Sequence, residues 1–218
     1  MNKKAVCVIS GGLDSATAAY IAKSQGYEII ALHFDYNQRT MNKERQCFNQ
    51  ICNDLGVEKR YILNADFIAQ IGGNSLTDTS LKIRKSGVEK DLPNSYVPYR
   101  NGIFLSIAAA LAQKEKAQAI FIGVVQDDSS GYPDCSLKFI SQINLAINEG
   151  TGENMQIIAP LVDLNKGEIV QKALNLGVNL AHSWSCYESE IKPCGECDSC
   201  RLRANGFEKA NLKDPIID

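Results

Sequence analysis

The amino-acid sequence predicts an α/β protein built on a parallel sheet, with a separate short segment at its C-terminal end. Three observations support this fold class: short apolar runs alternate with helical patterns, a glycine turn follows the first apolar run, and four cysteines cluster between residues 186 and 200. Alternating strands and helices are typical of βαβ units with right-handed crossovers, which form parallel sheets. In such folds, ligands bind at the carboxyl ends of the strands.

Five short runs rich in apolar and β-branched residues have the composition of strands that are covered on both faces. The predicted strands span residues 5–9, 28–34, 59–63, 119–124 and 156–159. The helical patterns between and after them span residues 15–25, 42–55, 102–116, 137–148 and 166–176. Gly26, Gly56 and Gly177 each follow a helical run, at the point where a left-handed residue ends a helix. Asn165 followed by Glu168 predicts a helix N-cap with a reciprocal acid.

Residues 66–98 interrupt this alternation. The stretch is rich in Gly, Asn, Ser, Thr and Asp and has no clean periodicity, which predicts a long insertion that covers or borders a binding site. We expect one domain over residues 1–180, which includes this insertion, and a C-terminal appendage over residues 181–218.

Composition and charge argue against several classes of protein. The 218 residues are 44% hydrophobic with a mean hydropathy of −0.18, which is ordinary for a globular chain. No run approaches the roughly 20 apolar residues that cross a bilayer, and the first strand begins too early for a signal peptide. We therefore expect no membrane partner and a cytoplasmic location. A formal net charge of −2 and a pI near 5.8 give no broad basic field, so we expect no nucleic-acid partner.

A glycine turn links the first predicted strand to the first predicted helix, and its sequence is Ser10-Gly11-Gly12-Leu13-Asp14-Ser15. Glycines let the backbone bring its N–H groups up to an oxyanion, and the helix N-terminus adds roughly half a positive charge. The hydroxyls of Ser10 and Ser15 can donate to the same oxygens. Because Asp14 by itself would repel a phosphate, we interpret it as a ligand of Mg²⁺. An ordinary βα turn that happens to hold two glycines is the alternative.

Four cysteines near the C-terminus have the spacing C-x7-C-x2-C-x2-C and stand at Cys186, Cys194, Cys197 and Cys200. In a cytosolic chain this spacing favours a metal over disulfides, and four thiolates without a histidine suit a tetrahedral structural Zn²⁺. An iron-sulfur cluster, redox-active thiols and unrelated buried cysteines are the alternatives. The other four cysteines, Cys7, Cys47, Cys52 and Cys135, have no partner at ligand spacing. Cys7, Cys47 and Cys52 are expected to be small core residues.

Several short motifs, taken with the glycine turn, carry a resemblance to known enzymes. The turn resembles the SGGxDS loop of the ATP pyrophosphatase (PP-loop) superfamily, whose members adenylate a substrate and release pyrophosphate. The further motifs are His33-Phe34-Asp35-Tyr36-Asn37-Gln38-Arg39, Val97-Pro98-Tyr99-Arg100-Asn101, Tyr132-Pro133-Asp134-Cys135, Trp184-Ser185-Cys186-Tyr187 and Cys194-Gly195-Glu196-Cys197-Asp198-Ser199-Cys200. With them, residues 4–209 are similar to the 7-cyano-7-deazaguanine synthase family. The sequence departs from the family pattern at Tyr99, where Gly is common, and at Ser136, where Arg is common.

The resemblance implies a PP-loop domain of the Rossmann-like, adenine nucleotide alpha hydrolase-like type, followed by a zinc-binding segment. It also implies an ATP-dependent carbon–nitrogen ligase of queuosine biosynthesis. Such an enzyme converts 7-carboxy-7-deazaguanine and ammonia to 7-cyano-7-deazaguanine through adenylated intermediates. The implied cofactors are ATP, Mg²⁺ and Zn²⁺. No glutaminase segment is recognisable, so free ammonia is the expected nitrogen source, and a homodimer is the assembly that we consider.

The resemblance also implies roles for individual residues. The pyrophosphate and Mg²⁺ would lie in a cradle formed by Ile9, Ser10, Gly11, Gly12, Leu13, Asp14, Ser15, Ala16, Thr17, Ala18 and Ala19. The catalytic candidates are Asp14, Arg100, Lys166 and Asp127. The cations, together with Arg39, would neutralise charge on the α-phosphate. Asp127 and the neighbouring Asp128 would hold a second Mg²⁺ or take the ammonia proton, unless they only form a turn.

The candidate substrate-binding residues are Tyr132, Asp134 and Arg39. A guanine-like ring needs an aromatic face for stacking and an acceptor for its N1–H and amino edge. Tyr132 and Asp134 offer these two groups just after the fourth predicted strand. A simple Tyr-Pro turn is the alternative.

Other candidate residues also have plainer interpretations. Arg100 can cap a helix and pair with a surface acid, and Lys166 can be solvated, although a cation at a helix N-terminus is electrostatically disfavoured. His33, at a strand end, is expected to be packed or bonded to the backbone. His182 and Trp184 are expected to fix the cysteine segment, residues 186–200, against the sheet rather than to contact substrate.

Two other functions stay open at the level of sequence. Another ATP pyrophosphatase, such as a tRNA thiolase or an amide-forming ligase similar to NAD synthetase, would use the same loop. A tRNA-modifying enzyme, however, needs an RNA-binding surface that this acidic chain does not offer. A non-catalytic zinc module that binds nucleic acid is the alternative from a different class, and the acidic pI of about 5.8 counts against it. Iron in place of zinc would favour the thiolase.

Overall fold

The computed structural model describes residues 3–85, 92–125 and 132–217. Within these ranges five strands form one sheet: β1 (Lys4–Val8), β2 (Glu28–Asp35), β3 (Arg60–Asn64), β4 (Ala119–Phe121) and β5 (Gln156–Ile158). All neighbouring strands are parallel, and their order is β3-β2-β1-β4-β5. The chain order reverses between β1 and β4. A sheet of this kind opens its ligand crevice at such a point, at the carboxyl ends of the strands.

Seven helices are described: α1 (Leu13–Ser24), α2 (Met41–Asp54), α3 (Phe67–Ile71), α4 (Arg100–Glu115), α5 (Leu137–Thr151), α6 (Lys166–Asn175) and α7 (Asp198–Lys209). Helices α1, α2 and α6 pack on one face of the sheet, and α4 and α5 pack on the other. The predicted α/β class with a parallel sheet is confirmed. Across the described ranges, no helix combines the length and the apolar character that crossing a bilayer requires.

The predicted strands and helices are all present, with ends that differ by three residues at most. The largest difference at a strand is in β4, which ends at Phe121 rather than at residue 124. The predicted N-cap of α6 is confirmed, because Asn165 accepts from the backbone N of Glu168 at 3.2 Å and Glu168 accepts from the backbone N of Asn165 at 2.8 Å.

Helices α3 and α7 are absent from the sequence prediction. In α7, a charged side chain occupies an inward position, so the apolar periodicity that marks a helix is broken. Arg203 is only 2% exposed and binds both carboxylate oxygens of Asp214, at 2.6 and 2.9 Å. The same guanidinium donates to the hydroxyl of Ser183 at 2.9 Å. This network ties α7 to the chain segments on either side of it.

The C-terminal segment packs against the sheet domain at several points. Phe207 of α7 lies in the same apolar cluster as α1 and α6, and the backbone N of Trp184 donates to the carbonyl of Gly11 at 2.9 Å. The domain boundary near residue 180 stays a prediction. The contact with Gly11 brings the segment next to the glycine turn.

Three cysteines outside the C-terminal group are core residues, as expected. Cys7, Cys47 and Cys52 are each 1% exposed or less, and all three are free thiols. Burial raises the pKa of the Cys52 thiol to about 11. These side chains therefore pack as small neutral groups.

Candidate active site

The turn after β1 is shaped by Gly11 and two serine hydroxyls. Gly11 has a φ of +91°, and a Cβ there would lie 2.4 Å from the backbone oxygen of Glu44, so glycine alone fits. The backbone N of Ser10 donates to Oγ of Ser15 at 3.1 Å, and the two serine oxygens are 3.1 Å apart. Helix α1 begins at Leu13, with Gly12 as its N-cap. Hydroxyls and helix N–H groups therefore meet at the carboxyl end of β1, as an anion site requires.

A second close approach lies at the end of β4. A Cβ on Gly123 would lie 2.6 Å from the backbone N of Ser15 and 2.7 Å from the backbone oxygen of Asp14. Glycine at this position therefore lets the chain after β4 lie directly against the first turn of α1. No role for Gly123 was expected from the sequence, although a glycine within an apolar strand pattern is a known sign of close backbone approach.

A cavity of about 250 Å³ opens beside the glycine turn. Its walls are formed by parts of the chain that are distant in sequence: the turn itself, the carboxyl ends of the central strands, the first turns of α4 and α6, and the cysteine segment. The residues that line it include Asp14, Arg100, Tyr132, Lys166, Trp184 and Asp198. The concave site lies where the order of the sheet reverses, which is the expected place for a ligand.

Asp14 and Lys166 form an ion pair in the wall of the cavity. The Nζ atom of Lys166 lies 2.6 and 2.9 Å from the two carboxylate oxygens of Asp14. Lys166 is the first residue of α6, where a cation is disfavoured by the helix dipole, and the contact with Asp14 offsets that cost. The carboxylate keeps further lone pairs, and oxygen donors are what Mg²⁺ prefers. The carboxylate of Asp14 could therefore hold a magnesium ion.

Arg100 lies among three tyrosines. Its Nη1 atom donates to the hydroxyl of Tyr36 at 2.9 Å, and Tyr132 and Tyr187 are close enough to interact electrostatically with the guanidinium. Burial raises the pKa of Tyr36 and of Tyr187, so both phenols are neutral near pH 7. These neutral hydroxyls do not compensate the charge of the guanidinium. Arg100 can therefore attract an anionic group in the cavity.

Arg39 binds the backbone of the inserted segment. Its Nε atom donates to the carbonyl of Ser75 at 2.7 Å, and one Nη2 donor lies 2.8 Å from the carbonyl of Asp78. The backbone N of Arg39 also donates to the carbonyl of Leu76 at 2.9 Å. Arg39 and Leu76 both line the cavity. The described part of the insertion thus borders the site, as the sequence predicted.

Tyr132 and Asp134 occupy different positions. Tyr132 lines the main cavity, and its hydroxyl is 3.2 Å from that of Ser95. Asp134 is 4% exposed and accepts from the backbone N of Asn101 at 2.9 Å, which satisfies a donor in the first turn of α4. It lines a much smaller neighbouring cavity. Its binding of substrate stays a prediction.

Both departures from the family pattern have a local explanation. Tyr99 has a φ of +54°, a left-handed conformation that favours glycine. Its ring packs over Gly102 and meets the ring of Phe139 edge-on, with centroids 5.7 Å apart. Ser136 is the N-cap of α5 and accepts from the backbone N of Phe139 at 3.2 Å.

Two candidate residues lie outside the described ranges, and one acid that lines the cavity was not expected from the sequence. Asp127 and Asp128 lie outside the described residues. Glu44 lines the cavity, and burial raises the pKa of its carboxyl against the opposing effect of hydrogen bonds from Thr40 and Gln38. Glu44 was not expected in the site from the sequence, because an acid in the first turn of an amphipathic helix is usually solvated.

The four C-terminal cysteines converge on one point. The sulfur atoms of Cys186, Cys194, Cys197 and Cys200 all lie within 4.8 Å of one another, and those of Cys194 and Cys200 are 3.9 Å apart. Tetrahedral Zn–S bonds of about 2.3 Å place sulfurs about 3.8 Å apart. Hydrogen bonds from Cys197 and Cys200 lower the pKa of Cys186, and backbone N–H groups of Glu188 and Ser189 lie 3.4 Å from its sulfur. The cluster is suited to hold a metal ion.

Trp184, His182 and His33 occupy anchoring positions. Besides the bond from its backbone to Gly11, Trp184 donates from Nε1 to the carbonyl of Ser189 at 3.0 Å, and it also lines the cavity. Nδ1 of His182 lies 2.6 Å from a carboxylate oxygen of Asp54 in α2. His33 is 1% exposed and donates from Nδ1 to the carbonyl of Ile9 at 2.8 Å. His33 is therefore packed and bonded to the backbone, as expected.

Comparison with known proteins decides the family. The sequence model of the family described as "Queuosine biosynthesis protein QueC" matches residues 4–211. The chain belongs to the QueC family. Among curated QueC relatives, 7-cyano-7-deazaguanine synthase of Campylobacter hominis is 67% identical over 98% of both chains. The protein of the same name from Campylobacter fetus subsp. fetus is 66% identical over 98% of this chain and 96% of its own length.

Solved structures support the fold. NMN synthetase from Francisella tularensis superposes with a TM-score of 0.54 at 17% identity, over 97% of this chain and 79% of that one. A predicted subunit of tRNA methyltransferase from Methanocaldococcus jannaschii gives a TM-score of 0.55 at 16% identity, over 99% and 92% of the two chains. At these identities the similarity concerns the fold alone. It extends over almost the whole QueC chain.

Proposed function

We propose that this QueC protein is an ATP-dependent ligase that converts 7-carboxy-7-deazaguanine and ammonia to 7-cyano-7-deazaguanine. The name carried by its close relatives supports the proposal. The observation that carries it is a single cavity lined by an anion-binding turn, by the Asp14–Lys166 pair and by Arg100. This combination suits the transfer of an adenylyl group to a carboxylate.

The reaction needs two activations, because a carboxylate is a poor electrophile. One carboxylate oxygen attacks the α-phosphorus of ATP, which releases pyrophosphate and gives an acyl adenylate. Ammonia then adds at the acyl carbon, loses one proton and displaces AMP, which forms the amide. The amide oxygen attacks the α-phosphorus of a second ATP, which releases a second pyrophosphate. The second AMP then leaves with that oxygen, and the nitrogen loses its two remaining protons, which gives the C≡N bond.

The chain's own groups have separate tasks in this scheme. The N–H groups and hydroxyls from Ile9 to Ala19 bind the pyrophosphate portion of ATP, whose negative charge the helix N-terminus favours. Lys166 and Arg100 neutralise charge that develops on the α-phosphate. Arg100 is suited to this because its hydrogen-bond partner is a neutral phenol. Tyr132 offers an aromatic face to the deazaguanine ring.

We propose Mg²⁺ and Zn²⁺ as the two metals. Asp14 would hold the magnesium ion, which screens the phosphate charges when bound. The four cysteines would hold a structural zinc ion, because a closed set of four sulfur ligands leaves no position for substrate. Free ammonia as the nitrogen donor, a homodimer and a cytoplasmic location also belong to the proposal.

Product analysis tests this function. Purified protein is incubated with ATP, Mg²⁺, ammonium and 7-carboxy-7-deazaguanine, and the products are separated by mass spectrometry. We expect the nitrile, and no nitrile when ammonium is omitted. Accumulation of the amide as the final product, or no consumption of the acid by a folded, metal-loaded protein, would contradict the proposal. An absorbance scan in the visible range distinguishes zinc from an iron-sulfur cluster.

A further inference from the structure

One buried carboxylate in the cavity is not explained by the fold. Asp198 is the first residue of α7 and directly follows Cys197. It is 6% exposed and lines the main cavity. Its Oδ1 atom has no hydrogen-bond partner among residues 3–85, 92–125 and 132–217. A buried carboxylate oxygen without a donor is costly, so a ligand that brings a donor would relieve that cost.

The position of Asp198 at the N-terminus of α7 does not fully explain why its carboxylate is buried. An acidic residue in the first turn interacts favourably with the helix dipole, and this accounts for acids that are exposed at the surface. It does not account for an oxygen that is buried and bonded to none of the described N–H groups. Helix α7 has Cys197 as its N-cap, without a side-chain capping bond.

A comparison with Asp134 shows which aspartate is free to bind a ligand. Both side chains are more than nine-tenths buried. Asp134 accepts from the backbone N of Asn101 at 2.9 Å and borders the small side cavity. Asp198 borders the main cavity and has an oxygen with unused acceptor capacity. Of these two carboxylates, Asp198 is the better placed to accept donors from a ligand in the main cavity.

The surroundings of Asp198 suit a flat ring with N–H donors on one edge. The aromatic residues Trp184 and Tyr187 and the apolar Leu202 line the same cavity. Aromatic faces bind flat rings by stacking. The two oxygens of a carboxylate accept from two adjacent donors in one plane, which is the pattern of the N1–H and 2-amino groups of a guanine-like ring.

We propose that Asp198 accepts hydrogen bonds from the N1–H and 2-amino edge of the substrate and is a specificity-determining residue. This role rests on the proposed function, because the deazaguanine ring is the donor that it recognises. The metal site would then have a second task besides stability. It would fix the start of α7 so that Asp198 reaches the cavity.

Binding measurements on Asp198→Asn test the role, with Glu196→Gln as the matched control. Both changes convert a carboxylate to an amide in the cysteine segment, but the side chain of Glu196 is 63% exposed and pairs with Lys85. Calorimetry without ATP measures the affinity for 7-carboxy-7-deazaguanine. We expect about 10- to 100-fold weaker binding for Asp198→Asn, as for loss of bonds to a charged group, and less than about twofold for the control. The metal content and the KM for ATP should change little in either variant.

A ring analogue without the 2-amino group separates recognition from a structural effect. We expect the unmodified protein to bind this analogue about tenfold less tightly than the substrate, and Asp198→Asn to bind the two almost equally. Unchanged affinity and discrimination in Asp198→Asn would overturn the inference, as would a selective rise of the KM for ammonium. If Asp198→Asn fails to fold, equal binding of both rings by the unmodified protein would still overturn it. Absence of all turnover in the unmodified protein would instead reject the proposed function.

Discussion

The glycine turn and the cysteine segment both line one cavity, but they are built by different means. The turn is a local structure: Gly11 at a φ of +91° and the hydroxyls of Ser10 and Ser15 shape it within six residues. The cysteine segment depends on four sulfur atoms that lie within 4.8 Å of one another. The bond from the backbone N of Trp184 to the carbonyl of Gly11 joins the two.

The difference predicts how each region fails. Side chains of the turn act on the ligand, so polar substitutions there should lower turnover while the fold is kept. Side chains of the cysteine segment act on a metal, so their substitution should lower stability first and activity as a consequence. The largest expected effect is on turnover, and the smaller ones concern stability.

Asp14→Asn should lower turnover by about 10²–10³-fold, because it removes a magnesium ligand and the ionic contact with Lys166. The melting temperature should fall only modestly, because the ionic contact with Lys166 is lost but the core is unchanged. Pyrophosphate release measures the rate. Asp163→Asn, at an exposed position, serves as the control. Near-normal pyrophosphate release by Asp14→Asn would mean that the ion is held elsewhere.

Cys197→Ser should lose metal and stability together. We expect well below one zinc per chain by elemental analysis and a free energy of unfolding lower by about 3–5 kcal/mol, as for loss of a structural metal. Cys52→Ala, in the core of α2, should keep its zinc and cost only about 1–2 kcal/mol. Full zinc occupancy in a double variant, Cys197→Ser with Cys200→Ser, would show that these thiols are not the ligands.

Gly11→Ala should destabilise the protein although the turn is local. The new Cβ would lie 2.4 Å from the backbone oxygen of Glu44 at a φ of +91°, and the combined strain should cost about 2–3 kcal/mol. Gly150→Ala, inside α5 with open space around it, should stabilise by about 0.5–1 kcal/mol. Thermal unfolding of the two variants checks both signs. Equal melting temperatures would refute the steric account of the turn.

A third region, formed by Lys59, Tyr61 and Glu115, should contribute to the pH dependence of the protein's stability. Hydrogen bonds from Lys59 and Tyr61 lower the pKa of Glu115 to about 2. A lowered pKa in the folded state stabilises it above pH 4.5, the ordinary value, and this contribution is lost as the pH falls toward 2. Glu115→Gln should therefore flatten the pH dependence of stability in that window. The exposed Glu153→Gln should leave the dependence unchanged, and the same curve for both variants would contradict the assignment.

Most of the fold could be predicted from the sequence, since β1 to β5 are apolar runs and Asn165 with Glu168 is a strong capping pattern. Helix α7 was not predicted because Arg203 occupies an inward position, where an amphipathic helix usually has a hydrophobic residue. The glycine turn and the four cysteines were recognisable because their chemistry is local in sequence. The convergence of Tyr36, Arg100 and Tyr187 was not, because three separate segments bring them together. Sequence alone also does not show that Asp134 accepts from the first turn of α4. Nor does it show that Oδ1 of Asp198 lacks a hydrogen-bond partner among the described residues.

The fate of the substrate's oxygen atoms tests most directly whether this cavity converts an acid to a nitrile by two adenylations. The acid is labelled with ¹⁸O in both carboxylate positions, and the AMP formed is analysed by mass spectrometry. Each activation transfers one carboxylate oxygen to an α-phosphate, so two molecules of AMP should form for each nitrile, and each should carry one ¹⁸O. A single labelled AMP, ¹⁸O in water, or ADP and phosphate as the products would contradict the account.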